Sequence, residues 1–248
     1  MMMLRDLQRR AVDRIKRHAV RMSLRSPRAQ ARILTEYLWT EEGAENTALH
    51  RTFTPSTPAW VDKLVTRQLA DERRHAMLLR ERLAAMGAAA VRPPPALARA
   101  KLWWLERACA PYTRAFAAGP VVVLLAVAAR LESTGVRVLR RHLAVLEEHA
   151  AADATTAALR SILADEQRHA RSCSIAVDRL VRDDEHTALA ELRERIATID
   201  RAFGVTIAAG FWISIAAHAA RDRATRRRRG AAPPPAGEAV TLGAELAP

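Results

Sequence analysis

The sequence Leu69-Ala70-Asp71-Glu72-Arg73-Arg74-His75-Ala76 returns later in the chain, with one change, as Leu163-Ala164-Asp165-Glu166-Gln167-Arg168-His169-Ala170. Each copy contains the pattern Glu-x-x-His. On a helix, this spacing places a carboxylate and an imidazole on the same face, one turn apart. The repeat therefore predicts two helices that each present a pair of metal-ligating side chains.

Both pairs fall within the apolar stripe of their predicted helices, not on the opposite, polar face. Burying a carboxylate without a partner costs several kcal/mol even after the surroundings relax. A metal ion is one partner that would compensate this cost for the carboxylate and the imidazole together. The apolar neighbours are Val65, Leu69, Ala76 and Leu79 in the first copy and Ile162, Cys173 and Val177 in the second.

The predicted helix before each motif contains glutamates. In the second half, Glu132 is the only acidic residue between Glu106 and Glu147, and it lies in a strongly apolar stretch. Glu132 is therefore the expected partner of Glu166 and His169.

The first half offers several glutamates before its motif. We choose Glu42 because Leu49 follows it at the same interval at which Leu139 follows Glu132. Glu45 and Glu41 are the alternatives. The four negative charges of four carboxylates would balance two divalent ions. The predicted metal ligands are then four carboxylates and two imidazoles: Glu42, Glu72, His75, Glu132, Glu166 and His169.

This ligand set resembles that of the ferritin-like di-iron carboxylate superfamily over about residues 28–182. In spacing, the first half is most similar to the demethoxyubiquinone hydroxylase family. The resemblance implies a four-helix bundle with two Fe ions, although Mn suits the same ligands. It also implies that Asp165 accepts a hydrogen bond from His75 and Asp71 from His169, which would fix the orientation of both rings.

The composition predicts an all-α protein, because half of the residues are hydrophobic, Ala, Leu and Arg are abundant and Gly is scarce. We expect a ferritin-like bundle formed by a duplicated two-helix unit, with extra N-terminal, linker and C-terminal helices. The predicted organisation is a basic amphipathic helix in 1–25, the bundle with its accessory helices in 26–222, and a disordered basic, Pro-rich tail in 223–248.

The formal net charge of +13 favours anionic partners. The basic termini, including Arg226-Arg227-Arg228-Arg229, suggest contact with nucleic acid or with the surface of a membrane. The two cysteines form no C-x-x-C pair, which excludes a zinc ribbon, a rubredoxin-like iron site and a disulfide framework.

Residues 202–220 contain no Asp, Glu, Lys or Arg, which just reaches the length of a membrane-spanning helix. The stretch is rich in Ala and Gly, so we interpret it as a bundle-packing or interfacial helix. The first 25 residues are charged throughout and lack the apolar segment of a signal peptide. We therefore expect a cytoplasmic protein, peripheral at the membrane if its basic termini bind there.

The resemblance favours an oxidase or hydroxylase that uses O2, an external electron donor and an unknown, apolar small-molecule substrate. Three alternatives stay open: a ferroxidase or iron-handling protein, a peroxide reductase, and a metal-free basic helical module that binds nucleic acid. The accessory helices would hinder packing into a storage cage, which favours a small assembly such as a homodimer.

Overall fold

The computed structural model describes residues 2–46, 57–88, 95–149 and 153–230, without the side chains of 2–5, 44–46, 229 and 230. This part of the chain contains no strand, which confirms the predicted all-α class. Its α-helices are α1 (Met2–Ser23), α2 (Pro27–Asn46), α3 (Ala59–Ala85), α4 (Ala96–Cys109), α5 (Pro120–Glu148), α6 (Ala154–Leu180) and α7 (His186–Gly230).

Several helix ends follow from local chemistry. Gly87 ends α3 and Gly119 precedes α5, both with a positive φ (66° and 72°) that glycine adopts without strain. Pro120 occupies the first position of α5, where no backbone N–H is needed. The Asp153 side chain caps α6 by accepting a hydrogen bond from the backbone N–H of Thr156 at 2.9 Å.

Four helices contribute to the centre of the molecule. Helix α2 packs along α3, α5 packs along α6, and the two pairs meet where α3 contacts α6. Two buried apolar clusters fill the space between them, one around Val65, Leu125 and Val177, and the other around Leu38 and Leu79. Because the motif residues lie between the positions of these clusters along the helices, apolar packing flanks them on both sides.

The other three helices cover this arrangement from outside. Helices α1 and α4 both pack against α7, and α7 also contacts α2 and α5. Two polar contacts connect distant parts of the chain here: Gln8 Nε2 donates to the carbonyl oxygen of Arg201 at 2.6 Å, and Ser26 Oγ donates to Asp222 Oδ2 at 2.6 Å.

The predicted start of the C-terminal tail differs from the end of α7 in the structure. Helix α7 continues to Gly230, so residues 223–230 are helical and the assignment of a disordered tail from residue 223 is wrong for them. Arginine is a good helix former, and the Arg-rich composition of this stretch is compatible with a helix. Residues 231–248 of the predicted tail lie outside the described residues, as do 47–56 and the linker at 89–94.

The segment Asp183–Arg228, which includes the stretch 202–220, is long and apolar enough to cross a membrane by length and composition. Core helices of soluble proteins meet the same criteria, so this is weak evidence. The cellular location of the protein stays a prediction.

Candidate metal centre

Buried carboxylates and imidazoles from four helices converge between the two apolar clusters. They form two overlapping groups, and within each group the ligand atoms all lie within 4.8 Å of one another. Glu72 and Glu166 belong to both groups. The first group is completed by Glu41 and His75, and the second by Glu132 and His169. This arrangement offers two adjacent cation positions that share two carboxylates.

Both imidazoles direct Nδ1 towards the carboxylates. His75 Nδ1 lies 3.2 Å from Glu41 Oε2 and 3.6 Å from Glu72 Oε2. His169 Nδ1 lies 3.2 Å from Glu72 Oε1. The two rings are 6.0 Å apart between centroids. An imidazole whose Nδ1 faces acidic side chains can bind a cation there, provided that Nδ1 carries no proton.

The opposite nitrogen of each ring faces an aspartate from the other half of the repeat. His75 Nε2 lies 3.1 Å from Asp165 Oδ2, and His169 Nε2 lies 3.1 Å from Asp71 Oδ2. This is the crossed pairing that the resemblance implies. A carboxylate at Nε2 stabilises the tautomer with the proton on Nε2 and leaves the Nδ1 lone pair available. That these aspartates support metal ligands stays a prediction.

Two arginines that sequence reasoning missed hold the aspartates. Arg74 donates to Asp71 Oδ1 at 3.1 Å and also to Asp165. Arg168 lies 2.8 Å from Asp71 Oδ2 and 2.5 Å from Asp165 Oδ1. The signal was present, since Arg74 and Arg168 occupy the same position in the two copies of the octapeptide.

The carboxylates do not all ionise alike. Burial, together with the neighbouring Glu132, raises the pKa of Glu166 to about 10. Burial and the charge of Glu72 raise the pKa of Glu132 to about 7, and burial with Glu72 raises that of Glu41 well above its ordinary value. The pKa of Glu72 is lowered, against the effect of burial, by Glu41, His169 and His75. Without a metal ion the cluster therefore retains protons near neutral pH.

The imidazoles respond to the same negative surroundings. Burial favours the neutral ring, but Glu72 and Asp165 raise the pKa of His75. Glu72 and Asp71 raise the pKa of His169 in the same way. A proton bound in this cluster and a metal cation would neutralise the same excess of negative charge, so the two would compete.

Two buried atoms fit a cation directly. Among the described residues, Glu72 Oε1 and His169 Nδ1 make no hydrogen bond although both are shielded from solvent. Buried polar atoms are normally satisfied. These two atoms face each other at 3.2 Å, and a cation bound between the helices would satisfy both.

The first-helix carboxylate differs from our choice. Glu42 has a side chain that is 37% exposed and accepts a hydrogen bond from Arg80 at 2.6 Å. Glu41, which we gave as an alternative, is buried and belongs to the cluster. The side chain of Glu45, the other alternative, lies outside the described residues.

The buried stripe of α2 explains the difference. Leu34 and Leu38 are buried, and Glu41 continues their helical spacing, whereas Glu42 is turned by one residue towards solvent. Leu49, on whose matching interval we relied, lies outside the described residues.

Two further neighbours of the cluster were not predicted. Buried Gln68 donates to Glu132 Oε1 at 2.7 Å and accepts a hydrogen bond from Cys173 Sγ at 3.4 Å. Gly135 lies on α5 so close to Glu166 that an added Cβ would be 3.2 Å from Glu166 Oε2. Neither residue has a counterpart in a repeated motif, so the sequence alone carried no signal for them.

Comparisons with protein-family models, with curated proteins and with solved structures found no significant match. The protein is helical, and its buried Glu/His cluster could hold a metal ion.

Proposed function

We propose that this protein is a ferritin-like di-metal protein that holds two iron ions and uses dioxygen to oxidise a small molecule. The observation that carries the proposal is the sharing of Glu72 and Glu166 by two groups of potential ligands. A single cation would need only one group. Two groups with shared carboxylates support a pair of ions held close together, as in the di-iron and di-manganese carboxylate bundles.

The charges support the same stoichiometry. Four carboxylates carry four negative charges when fully ionised, and two divalent ions balance them within a buried site. When bound there, two ferrous ions can bind and reduce O2 at open coordination positions, with further electrons from an external donor. Manganese would suit the same oxygen and nitrogen ligands.

The residues around the cluster have distinct tasks in this proposal. Glu41 and Glu132 each serve one cation position, and Glu72 and Glu166 serve both. Asp71 and Asp165 hold the Nε2 protons, so that each Nδ1 stays available for a cation. Arg74 and Arg168 keep the two aspartates ionised and in place; the pKa of both aspartates is lowered, against burial, by these arginines and the imidazoles.

Apolar surroundings favour an apolar substrate. The start of α5, with Val121, Val122 and Leu125, is buried in an apolar cluster, and α5 packs against α6 and α7. This packing adjoins the Glu132 end of the cluster and excludes water from it.

Cys109 and Cys173 are buried and unpaired, and burial with the charges of Glu132 and Glu72 raises the pKa of Cys173 to about 12. A thiol held protonated makes a poor reductant, which supports a donor outside the chain.

An anaerobic titration with ferrous iron tests the stoichiometry. The purified full chain, freed of metal, is expected to saturate at two equivalents and to show an absorption change only when O2 is admitted. The double variant Glu132→Gln, Glu166→Gln is expected to lose at least one equivalent. Glu147→Gln is the matched control, because Glu147 lies on the same helix α5 but is exposed and paired with Arg160. Saturation at zero or one equivalent, or equal iron content in all three proteins, would contradict the proposal.

Assembly size and turnover separate the oxidase from an iron-storage protein. We expect a monomer or a homodimer that consumes O2 continuously only when an electron donor and an oxidisable substrate are present. A large shell that accumulates many iron atoms per chain would support ferroxidase activity and overturn the oxidase assignment.

A further inference from the structure

A cavity lies away from the candidate metal centre, where α1 ends, α2 begins and the last turns of α7 pass. It has a volume of about 660 Å3. None of the cluster residues lines it. Ser26, the cavity residue nearest to Glu41 in sequence, precedes it by 15 residues, so the separation along α2 is about 20 Å. The basic side chains on its wall are His18, Arg21, Arg25, His149, Arg223 and Arg226.

The cavity wall has a surplus of positive charge. Arg21 is neutralised by Glu148, whose carboxylate lies 2.8 Å from its Nη2. Within the described part of the chain, Arg25 and Arg223 form no ion pair. Arg226 donates to the carbonyl oxygen of Arg25 at 3.1 Å, which uses one of its five donors.

The nearest acid on α7 is already engaged. Asp222 accepts hydrogen bonds from Ser26 Oγ and from the backbone N–H of Arg28, and it forms an ion pair with Arg28 at 3.2 Å. It partly offsets the charge of Arg226 but does not line the cavity. The wall thus presents guanidinium groups and no carboxylate.

A smaller chamber of about 280 Å3 adjoins the first, and the two share Leu24, Arg25 and His149. Leu34 and Leu146 make part of its wall apolar. The chamber contains one acid, Asp153, but its Oδ1 is directed to the backbone N–H of Thr156 as the cap of α6.

We propose that these two chambers bind an amphiphile with a phosphate group, the phosphate between Arg25, Arg223 and Arg226 and the hydrocarbon part against Leu34 and Leu146. A guanidinium group donates two parallel hydrogen bonds to phosphate oxygens, and three such groups match a doubly charged head with several acceptor oxygens. A volume of several hundred Å3 with few polar anchors is typical of small-molecule sites. The proposal does not depend on the function of the metal centre.

Isothermal titration of the full chain with dispersed dodecyl phosphate tests the site. The double variant Arg25→Gln, Arg223→Gln is expected to bind at least tenfold more weakly than the unmodified protein. Arg171→Gln, an exposed arginine on α6 away from the cavity, is the control and is expected to bind unchanged. Equal affinity in the double variant and the unmodified protein would overturn the proposal, as would equal binding of dodecyltrimethylammonium.

The chamber for the hydrocarbon part has its own test. Inorganic phosphate is expected to bind at least tenfold more weakly than dodecyl phosphate, and Thr155→Trp, which fills the smaller chamber, is expected to remove this difference. Inorganic phosphate binding as tightly as dodecyl phosphate would overturn the assignment of the second chamber. Circular dichroism and thermal unfolding verify that each variant is folded.

Vesicles distinguish the source of the phosphate. Sedimentation with phosphatidylcholine vesicles that contain phosphatidic acid, lost in the Arg25→Gln, Arg223→Gln variant but kept in Arg171→Gln, would identify a lipid headgroup. Binding of dispersed dodecyl phosphate without vesicle binding would identify a soluble phosphorylated ligand. Either result supports the site. The absence of binding in both experiments would overturn the proposal.

Discussion

Two adjacent glutamates on α2 differ in burial because they point in different directions from the helix. Glu41 continues the buried stripe of Leu34 and Leu38 and reaches the cluster, whereas Glu42 pairs with Arg80 at the surface. A rotation of about 100° per residue is enough to exchange a buried position for an exposed one. The identity of the carboxylate on this helix is therefore a question of register.

Replacing each of these glutamates with glutamine tests the register. Glu41→Gln removes a charged ligand from one of the two groups and is expected to weaken binding of one iron equivalent by at least about tenfold. Glu42→Gln is the matched control and is expected to bind two equivalents as the unmodified protein does. Iron affinity is measured by competition with a chelator. Loss of iron in Glu42→Gln but not in Glu41→Gln would show that Glu42, and not Glu41, is the ligand from α2.

The aspartates beside the imidazoles allow a second test at this scale. Asp165→Asn removes the charge at His75 Nε2 and one acceptor of Arg74 and Arg168, so metal affinity is expected to fall about 10–100-fold. Asp178→Asn is the control, because Asp178 lies on the same helix but is exposed and pairs with Arg193. Unchanged affinity in Asp165→Asn would show that the aspartate serves only the ion pairs with the arginines.

Residues that repeat were accessible from the sequence, and residues that act singly were not. Glu72, His75, Glu166 and His169 stand out because the same pattern recurs, and Glu132 stands out because no other acid is near it in sequence. In the sequence Gln68 is an ordinary polar residue, and only the fold brings its amide on α3 to Glu132 on α5. Such contacts depend on which helices meet, and one sequence does not contain that information.

At the scale of helices, local chemistry sets several ends. Proline, glycine and aspartate at the boundaries act through their own backbone or side chain, as they do at Pro27, Gly87, Gly119 and Asp153. The end of α7 was missed because its Arg-rich composition resembles that of a solvated tail. Asp222, directly before that stretch, contacts Ser26 and Arg28 and so connects the end of α7 with the start of α2. These partners are distant from Asp222 in sequence, so the sequence alone did not predict the contacts.

Helix α5 contains a glycine whose position conflicts with helix propensity. Gly135 lies in the middle of the helix, where glycine is about 1 kcal/mol less favourable than alanine. An alanine Cβ there would be 3.2 Å from Glu166 Oε2, so the Glu166 carboxylate would have to move. We therefore expect Gly135→Ala to lower iron affinity and to raise the melting temperature of the metal-free protein by less than a glycine replacement elsewhere in a helix.

Gly43 provides the comparison, because an added Cβ at this helical position meets no atom of the described residues within 4 Å. Gly43→Ala is expected to stabilise the protein by up to about 1 kcal/mol and to leave iron binding unchanged. Thermal unfolding followed by circular dichroism and a chelator competition provide the two measurements. Equal iron affinity in the two variants would show that the space beside Glu166 has no part in metal binding.

For the whole molecule, the duplication produces one centre with two unequal halves. The position of Gln68, four residues before Glu72, is occupied by Ile162 before Glu166, and the position of Cys173, four residues after His169, is occupied by Leu79 after His75. Gln68 is thus a polar neighbour of Glu132 in one group of potential ligands, whereas Ile162, at the equivalent place in the other copy of the motif, is apolar. The two halves resemble each other in ligands and differ in the residues behind them.

The same cluster sets how the stability of the whole protein depends on pH. Glu166 and Glu132 have folded-state pKa values of about 10 and about 7, above the ordinary value of 4.5. Their contribution to stability is complete below pH 4.5 and is lost as the pH rises through the folded-state values. The raised pKa values of Glu41, His75 and His169 act in the same direction. Glu72 and Asp165, whose pKa values are lowered, instead lose their contribution only as the pH falls below about 4.

The metal-free protein is therefore expected to be most stable near pH 5 and to lose stability towards pH 8, by at least about 4 °C in melting temperature, which corresponds to roughly 1–2 kcal/mol for a chain of this size. Saturating Mn2+ is expected to reverse this trend, because binding requires deprotonated ligands and tightens as the pH rises. Calorimetric scans from pH 5 to 8, with a chelator and with Mn2+, measure both effects. The Glu132→Gln, Glu166→Gln variant is expected to show a smaller fall without metal and a smaller gain with it, since two of the carboxyls with raised pKa values are gone. A melting temperature that rises with pH in the chelated, unmodified protein would mean that the buried carboxyls are already ionised at pH 5, and it would contradict the raised pKa values of Glu132 and Glu166.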